Sequence, residues 1–294
     1  MKTILICPSE RTGVPFLGTA SPLSNIPMMG HGLLEYWLSF LACARAKEVL
    51  VLAQDRAEQV KALVEDGSRW GLKVEVSAKA RELTPEEAHS QYEPDSTVFV
   101  LDHFPELPEK PLFTSYSDWF AAMQEWMPRA KTPDRAGVRE IQPGVWAGLH
   151  CNISKAAYLE APCWLGDHVY VGSAATIGPG SILEDGAFVE PKARIINSYV
   201  GPDTFVGRYV QVKDSVAWGN TLINWQTSLE IKVPDSFLMC SLRPAAPKQK
   251  SGSASWLDRI ADFWNDLEAA EQAVQQPVLV GAEKPEYGRR RSRA

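Results

Sequence analysis

The sequence lacks an excess of basic charge and any long hydrophobic run. Its 294 residues carry a formal net charge of −6, and a nucleic-acid partner would need a cationic face, so we expect none. No stretch reaches the roughly 18 consecutive apolar residues of a membrane-spanning helix. The opening MKTILICPSER turns polar too early for a secretory signal. We therefore expect a protein without a membrane span.

Cysteine and histidine are scarce as well. The five cysteines are odd in number and contain no CxxC pair, which is typical of a reduced protein, so we expect a cytoplasmic location. The five histidines do not have the spacing of a three-histidine zinc site.

What the sequence does contain is a six-residue repeat in its second half. An aliphatic residue recurs at every sixth position, namely Ile141, Ala147, Ile153, Leu159, Leu165, Val171, Ile177, Leu183, Val189 and Ile195. The phase slips by one residue and resumes at Val200, Val206, Val212 and Trp218. This period matches neither a helix nor the two-residue alternation of a β-sandwich strand. We predict a solenoid of about five three-sided coils over residues 141–233.

The segment APCWLGDHVYVGSAATIGPGS, residues 161–181, resembles the left-handed parallel β-helix of hexapeptide-repeat proteins. The left hand is implied by the resemblance, because general chirality rules for parallel crossovers predict the opposite hand. The resemblance also implies a trimer. Flat solenoid faces and Trp-bearing surfaces favour self-association too, so we expect a homo-oligomer.

The first hundred residues alternate short apolar runs with helical spacing. Strands are predicted at residues 3–7, 48–52, 72–76 and 97–101, and helices at 33–45, 56–64 and 117–127. This order indicates right-handed βαβ units around a mainly parallel sheet. Ligands bind beyond the carboxyl ends of such strands, which points to the loop from Pro8 and to Asp102.

Three segments of this half resemble the sugar-phosphate nucleotidyltransferases: IPMMGHGLLEYWLSFLA, DGSRWGL and VFVLDHF. The resemblance implies a Rossmann-like α/β domain of nucleotidyltransferase type, here truncated to residues 1–130, in front of the β-helix. It also implies transfer from a nucleoside triphosphate to a sugar 1-phosphate, with Mg²⁺. Carried onto this sequence, it assigns nucleotide binding to Ser9, Thr12, Asp66, Gly67 and Arg69, catalysis to Arg11 and Asp102, and the metal to Asp102.

The sequence departs from this family at the phosphate loop and at the sugar-binding half. Ser9 and Arg11 stand where the family has glycines, and Gly13 stands where it has a phosphate-binding Arg. One missing charged contact at a developing phosphate charge costs about 2–4 kcal/mol. Residues 105–140 are also too few to hold a sugar-binding half. We expect a nucleotidyltransferase-like protein of nucleotide-sugar metabolism that binds a nucleotide or nucleotide sugar with a degraded catalytic loop.

Two alternatives stay open. His150 and His168 lie eighteen residues apart and should stack on successive coils, where either would serve as the general base of a hexapeptide-repeat acyltransferase. A histidine in a surface turn is the simpler explanation for both. The second alternative is a non-catalytic oligomeric regulatory or scaffold subunit.

The last part of the chain predicts a linker, a helix and a tail. Residues 253–276 form a predicted amphipathic helix, whose apolar stripe consists of Trp256, Ile260, Phe263, Trp264 and Leu267. Residues 277–294, with four arginines near the end, are predicted to be a flexible tail.

Overall fold

The structure is a computed structural model that describes residues 2–92, 96–130 and 137–243. Two compact units divide the chain, Met1–Pro244 and Ala245–Ala294. The predicted C-terminal helix (253–276) and tail (277–294) lie outside the described residues. Within the described ranges, no helix has the length and apolar character needed to cross a bilayer.

The amino-terminal half is built around a four-stranded parallel sheet with the order β5-β4-β1-β6. Its strands, together with one short hairpin, are β1 (Lys2–Ile6), β2 (Pro27–Met28), β3 (His31–Gly32), β4 (Glu48–Ala53), β5 (Lys73–Ala78) and β6 (Thr97–Val100). The helices are α1 (Pro15–Ala20), α2 (Leu33–Cys43), α3 (Ala57–Val64), α4 (Pro85–Gln91) and α5 (Tyr116–Trp126). The predicted parallel α/β arrangement is confirmed.

Both faces of this sheet are covered because its central strands are apolar on both sides. Ile4 and Ile6 of β1 pack in a cluster with Ala88 of α4. Leu5, one residue along and pointing the other way, belongs to the larger cluster that includes Leu34 of α2. Continuous rather than alternating apolar strands are what a sheet covered on both faces requires.

The second half is a parallel β-helix with three faces, as the six-residue repeat predicts. The first face contains β8 (Val145–Ala147), β11 (Cys163–Leu165), β14 (Ser181–Leu183), β17 (Tyr199–Val200) and β20 (Ser215–Trp218). The second contains β9 (Asn152–Ile153), β12 (Tyr170–Val171), β15 (Phe188–Val189) and β18 (Thr204–Val206). The third contains β10 (Tyr158–Leu159), β13 (Thr176–Ile177), β16 (Arg194–Ile196) and β19 (Gln211–Lys213). The left hand of the winding rests on the resemblance.

The core of the β-helix contains the aliphatic residues of the repeat, with two corrections. Leu165, Ile177 and Val189 are fully buried and face the interior. Ile141 is 42% exposed, because it lies outside the coils in β7 (Arg139–Gln142), which pairs antiparallel with β8. Trp218 faces outward and packs against the α/β half, while Ala217 takes the interior position.

Ala217 rather than Trp218 takes the interior position because the six-residue repeat slips by one residue a second time. This second slip was not predicted. Early coils repeat after 18 residues, since Cys163 pairs with Ser181. Later coils repeat after 17, since Ile182 pairs with Tyr199 and Tyr199 with Val216. The second and third faces contain four parallel strands each in the described residues, so there are about four full coils rather than five.

Antiparallel strands close the β-helix. The strands β21 (Thr221–Asn224) and β22 (Leu229–Lys232) extend the first face as a hairpin, and β23 (Met239–Ser241) pairs with β18. The hairpin covers the open edge of the last coil with a returning chain.

The α/β half packs against the first face of the β-helix. The outward side chains of this face form a column of Trp146, Trp164, Ile182, Tyr199 and Val216, and all belong to the cluster that contains the α/β core. Trp119 of α5 meets Tyr199 edge to face at 4.9 Å. Trp146 and Trp164 are therefore internal, and the prediction that such Trp-bearing surfaces serve self-association is wrong for these two residues.

Candidate functional site

Ser9, Arg11 and Asp102 lie beyond the carboxyl ends of β1 and β6, where the sequence placed a site, but an internal carboxylate binds the first two. The guanidinium of Arg11 donates to both oxygens of Glu82, at 2.8 and 2.6 Å. The backbone N–H and hydroxyl of Ser9 donate to the same carboxylate, at 2.9 and 2.6 Å. Thr12, next in the loop, is exposed. Glu82 therefore takes up donors that the resemblance assigned to phosphate.

The electrostatics of Glu82 follow from these bonds. Burial would raise the pKa of this carboxyl, but the hydrogen bonds from Arg11 and Ser9 outweigh burial and lower the pKa to about 2. The pair is thus ionised at neutral pH. Glu82 was not predicted as a site residue because 71 residues separate it from Arg11 in the sequence.

Asp66, Gly67 and Arg69 occupy a turn before β5, at the amino edge of the sheet. Asp66 is exposed and accepts the Ser68 N–H, and hydrogen bonds from Ser68 lower the pKa of Asp66. Gly67 has a φ of +81° in a tight approach to Val74. The guanidinium of Arg69 lies 3.0 Å from the buried carboxylate of Glu35. These are the contacts of a structural turn.

The residues assigned to nucleotide binding therefore fall into two groups at opposite edges of the sheet. Parallel strands run from the amino edge, where the 66–69 turn lies, to the carboxyl edge, where Ser9 and Asp102 lie. A five-residue strand spans about 17 Å. The structure does not bring the two groups together into one site.

Asp102 pairs with its neighbour rather than with other carboxylates. Its Oδ1 lies 2.6 Å from Nδ1 of His103. In the described residues, no group of three or more His, Cys, Asp or Glu side chains is arranged to hold a metal ion. A magnesium ion at Asp102 would have few protein ligands, and this site stays a prediction.

His150 and His168 stack as predicted, on successive coils at one corner of the β-helix. Their rings are 5.1 Å apart. Both backbones are left-handed, with φ of 56° and 58°, a conformation in which His is enriched among non-glycine residues. Gly186 and Asp203 take the corresponding left-handed positions in the next two coils. The corner geometry alone thus explains a histidine here, and any chemistry must come from its surroundings.

His168 differs from His150 in lining a cleft, which we call the corner cleft. It lies between the β2–β3 hairpin and the corner that joins the first and second faces, and its volume is about 290 Å³. Its lining residues are Pro27, Gly30, His168, Glu184, Asp185, Gly186, Pro202, Asp203 and Arg243.

Carboxylates dominate the corner cleft. Asp185 Oδ1 accepts the backbone N–H of Asp167 at 2.7 Å, and Asp167 Oδ1 accepts that of Leu149 at the same distance, so the carboxylates are ordered along the corner. Asp203 pairs with Arg243 at 2.6 Å. Three carboxylates and one guanidinium line the cleft, which favours a cationic ligand group.

Glu184 joins the two halves of the molecule at this cleft. It is fully buried and accepts the backbone N–H groups of Met29 and Gly30, at 2.5 and 2.7 Å. Glu184 was not predicted as a site residue, although the sequence carries a signal for it. In three of the other four coils this position is glycine, at Gly148, Gly166 and Gly201, whereas it is Glu184 in the third coil and Trp218 in the last.

No protein-family model matches the chain, and no curated protein matches it. Among solved structures, it is similar to a mutant of perosamine N-acetyltransferase from Caulobacter crescentus in complex with CoA and GDP-perosamine. That match has 15% identity and a TM-score of 0.20, and covers 59% of this chain and 94% of the other. The acetyltransferase domain of PglB from Neisseria gonorrhoeae, in complex with acetyl coenzyme A, matches at 13% identity and a TM-score of 0.17, covering 59% and 97%.

The prediction of a sugar-phosphate nucleotidyltransferase-like function is wrong. Within the molecule, Arg11 is held by Glu82, and the residues assigned to the nucleotide lie at opposite edges of the sheet.

Proposed function

We propose that the chain is an acyltransferase whose acceptor binds in the corner cleft, with His168 as general base. The observation that supports this proposal is the position of His168. His168 lies in the wall of a cleft of about 290 Å³, a volume near the lower end of small-molecule sites. Histidine is the side chain most often used to remove a proton from an attacking nucleophile.

The proposed reaction needs an acyl thioester as donor and a primary amine as acceptor. The amine nitrogen attacks the thioester carbonyl, the new C–N bond forms, and the C–S bond breaks to release a thiolate. An acceptor that binds as an ammonium first loses one proton to solvent, which leaves the neutral amine that attacks. The imidazole of His168 takes the proton that the nitrogen loses on attack, and that proton then passes to the thiolate, so the products are an amide and a thiol. The donor carries the acyl group, and this chain binds and deprotonates the acceptor.

The charge of the cleft supports an amine rather than a hydroxyl acceptor. Asp185 and Asp203 line the cleft, and their carboxylates attract an ammonium group during binding. The Glu184 carboxylate instead accepts the hairpin amides. A hydroxyl acceptor would gain nothing from this charge.

We also propose that the protein is a trimer in a reducing compartment such as the cytoplasm. Tyr170, Phe188 and Phe205 form a partly exposed aromatic ladder on the second face, with Tyr170 and Phe188 centroids 4.2 Å apart. An exposed apolar patch of this kind favours self-association. All five cysteines are free thiols, which fits a reducing compartment. Light scattering that gives a monomer mass would contradict the trimer.

The test of the reaction combines an assay with two substitutions. The protein is incubated with acetyl, butyryl and decanoyl thioesters of coenzyme A and with matched amine and alcohol acceptors, and thiol release is measured. We expect turnover with amines, and we expect His168→Asn to lower kcat by about 10²- to 10⁴-fold because the general base is removed.

His150→Asn separates the two stacked histidines, because His150 does not line the cleft, and we expect its kcat to stay within about threefold of the wild type. His89→Asn, on α4, is the control for histidine loss elsewhere. If His150→Asn abolishes turnover and His168→Asn does not, the base assignment is wrong. If no donor and acceptor pair turns over, the acyltransferase proposal fails, and the non-catalytic scaffold subunit becomes the better explanation.

A further inference from the structure

We propose that Glu184 is a positioning residue that sets acceptor specificity, by holding the tip of the β2–β3 hairpin (Met29–Gly30, the hairpin tip) against the corner cleft. This inference rests on the proposed acyl transfer in the same cleft. Pro27 and Gly30 form the hairpin side of that cleft, and His168 belongs to the corner side. The hairpin therefore limits how much room an acceptor has beside the base.

The hairpin tip has the backbone conformation of an anion-binding turn. Met29 and Gly30 are the two central residues of a two-residue hairpin, in which Met28 pairs with His31. Their φ values are 56° and 81°, both positive, as in a type I′ turn. Successive N–H groups in such a turn point to one side and form a concave site for an anion. Glu184 supplies that anion.

The conformation is strained for one of these two residues, and the contact with Glu184 offsets that strain. The left-handed region is strained for a non-glycine residue, and Met29 adopts it with its side chain fully buried. Two charge-assisted hydrogen bonds from the turn amides to Glu184 offset this strain. The buried carboxylate of Glu184 is in turn stable only because it receives these hydrogen bonds.

Two tyrosines hold the hairpin from other directions. The hydroxyl of Tyr199, on the first face of the β-helix, donates to the Pro27 carbonyl at 2.9 Å. The hydroxyl of Tyr36, on α2, donates to the Met28 carbonyl at 2.9 Å. Both rings are buried. The hairpin is thus fixed to both halves of the molecule, and Glu184 is the contact at its tip, directly at the cleft.

The decisive variant is Glu184→Gln. The amide keeps the size of the side chain, but its NH₂ group faces one of the two turn N–H donors, so one hydrogen bond is replaced by a donor–donor contact. We expect KM for a compact amine to rise about tenfold, the loss that one hydrogen bond to a charged group predicts. We expect kcat to change by less than about threefold, because the base is untouched.

The preference between two amines is a property that a purely structural role of Glu184 would not change. In wild type and variant, kcat/KM is measured for methylamine and for a bulky amine such as cyclohexylamine. A loosened hairpin tip widens the cleft, so the preference for the compact amine should shrink by about tenfold. Hydrogen exchange of the Met29 and Gly30 amides, measured without substrate, should accelerate at least tenfold.

A second variant covers the case in which Glu184→Gln does not fold. Tyr199→Phe removes only the hydroxyl that binds the Pro27 carbonyl, and it should shift the amine preference in the same direction by a smaller factor. Glu190→Gln is the matched control, because Glu190 lies at a different corner, 3.9 Å from Arg208. This control should leave KM, the amine preference and the Met29 exchange rate unchanged.

The outcomes separate this inference from the proposed function. Faster exchange at the hairpin tip with an unchanged amine preference overturns the specificity role, and unchanged exchange overturns the clamp. If the wild-type protein shows no transfer, the proposed function has failed, and calorimetric binding of the same two amines replaces the kinetic comparison. Equal binding preference in the wild type and in Glu184→Gln then overturns the inference too.

Discussion

Glu82 and Glu184 each bind donors that an external anion would otherwise use. Glu82 accepts from Arg11 and Ser9 in the loop after β1, and Glu184 accepts from the hairpin tip. The two carboxylates have different consequences. Glu82 closes the loop that resembles a phosphate site, while Glu184 shapes a cleft that stays open beside His168.

Substitution of Glu82 should change how the free energy of unfolding depends on pH in the acid range. A carboxyl whose pKa is lowered from 4.5 to about 2 in the folded protein adds stability above pH 4.5, and this contribution is lost as the pH falls toward 2. The Arg11 and Glu82 side chains are 32% and 23% exposed, so solvent screening reduces the effect. We expect the free energy of unfolding to fall by about 1–2 kcal/mol more in the wild type than in Glu82→Gln over this range.

Urea unfolding at several pH values between 2 and 7 measures this difference. Glu106→Gln, at an exposed position, is the control and should follow the wild-type profile. Parallel pH profiles for the wild type and Glu82→Gln would show that the Arg11–Glu82 pair does not stabilise the folded state.

At the scale of secondary-structure elements, the spacing of the coils explains why glycine recurs after the aliphatic positions. A Cβ at Gly166 would lie 2.6 Å from the backbone nitrogen of Asp185 in the next coil. Strands of adjacent coils are held about 4.8 Å apart by their hydrogen bonds, so the backbone has no room for the methyl group.

Gly166→Ala should therefore destabilise the β-helix. We expect a loss of about 2–3 kcal/mol, the upper range for forcing an extra carbon into a packed interior, measured by urea unfolding. Gly18→Ala, in α1, is the matched control, because the nearest heavy atom to its added Cβ is 3.8 Å away. That substitution should be neutral or stabilise by up to about 1 kcal/mol. Equal effects of the two substitutions would contradict the close coil contact.

At the scale of the whole molecule, the α/β half and the β-helix share one hydrophobic core. Trp164 of the β-helix and Trp119 of α5 are fully buried members of the same cluster. Each half would expose a large apolar surface if the other unfolded. A solenoid buries its core only between neighbouring coils, and here the α/β half covers an entire face as well.

This shared core predicts that residues 1–130 and 141–233, distinguished as domains by their patterns, unfold together. The amides of Leu5 in β1 and of Leu183 in β14 should reach the same opening free energy in native-state hydrogen exchange. Trp164→Ala should lower both values by about 3–5 kcal/mol. If Leu5 instead exchanged through an opening several kcal/mol easier than that of Leu183, the two segments would be independent folding domains.

Periodicity in the sequence was sufficient for the architecture because burial imposes it locally. A six-residue repeat with small residues between the aliphatic ones allows few arrangements other than a three-sided coil, and strands β1, β4, β5 and β6 were located to within about two residues for the same reason. The stack of His150 on His168 also followed from the 18-residue coil.

The corner cleft depended on contacts between distant segments, which periodicity does not encode. Glu184 meets the hairpin tip across 155 residues, and Arg11 meets Glu82 across 71. The interruption of the glycine series marks Glu184 but not its partner, because the partner of a buried charge depends on which surfaces pack together. The positions of the strands and coils could thus be predicted from the sequence. Which of the two histidines gained a cleft was decided only by the docking of the hairpin on the β-helix. Which carboxylate the loop after β1 bound was decided by packing within the α/β half.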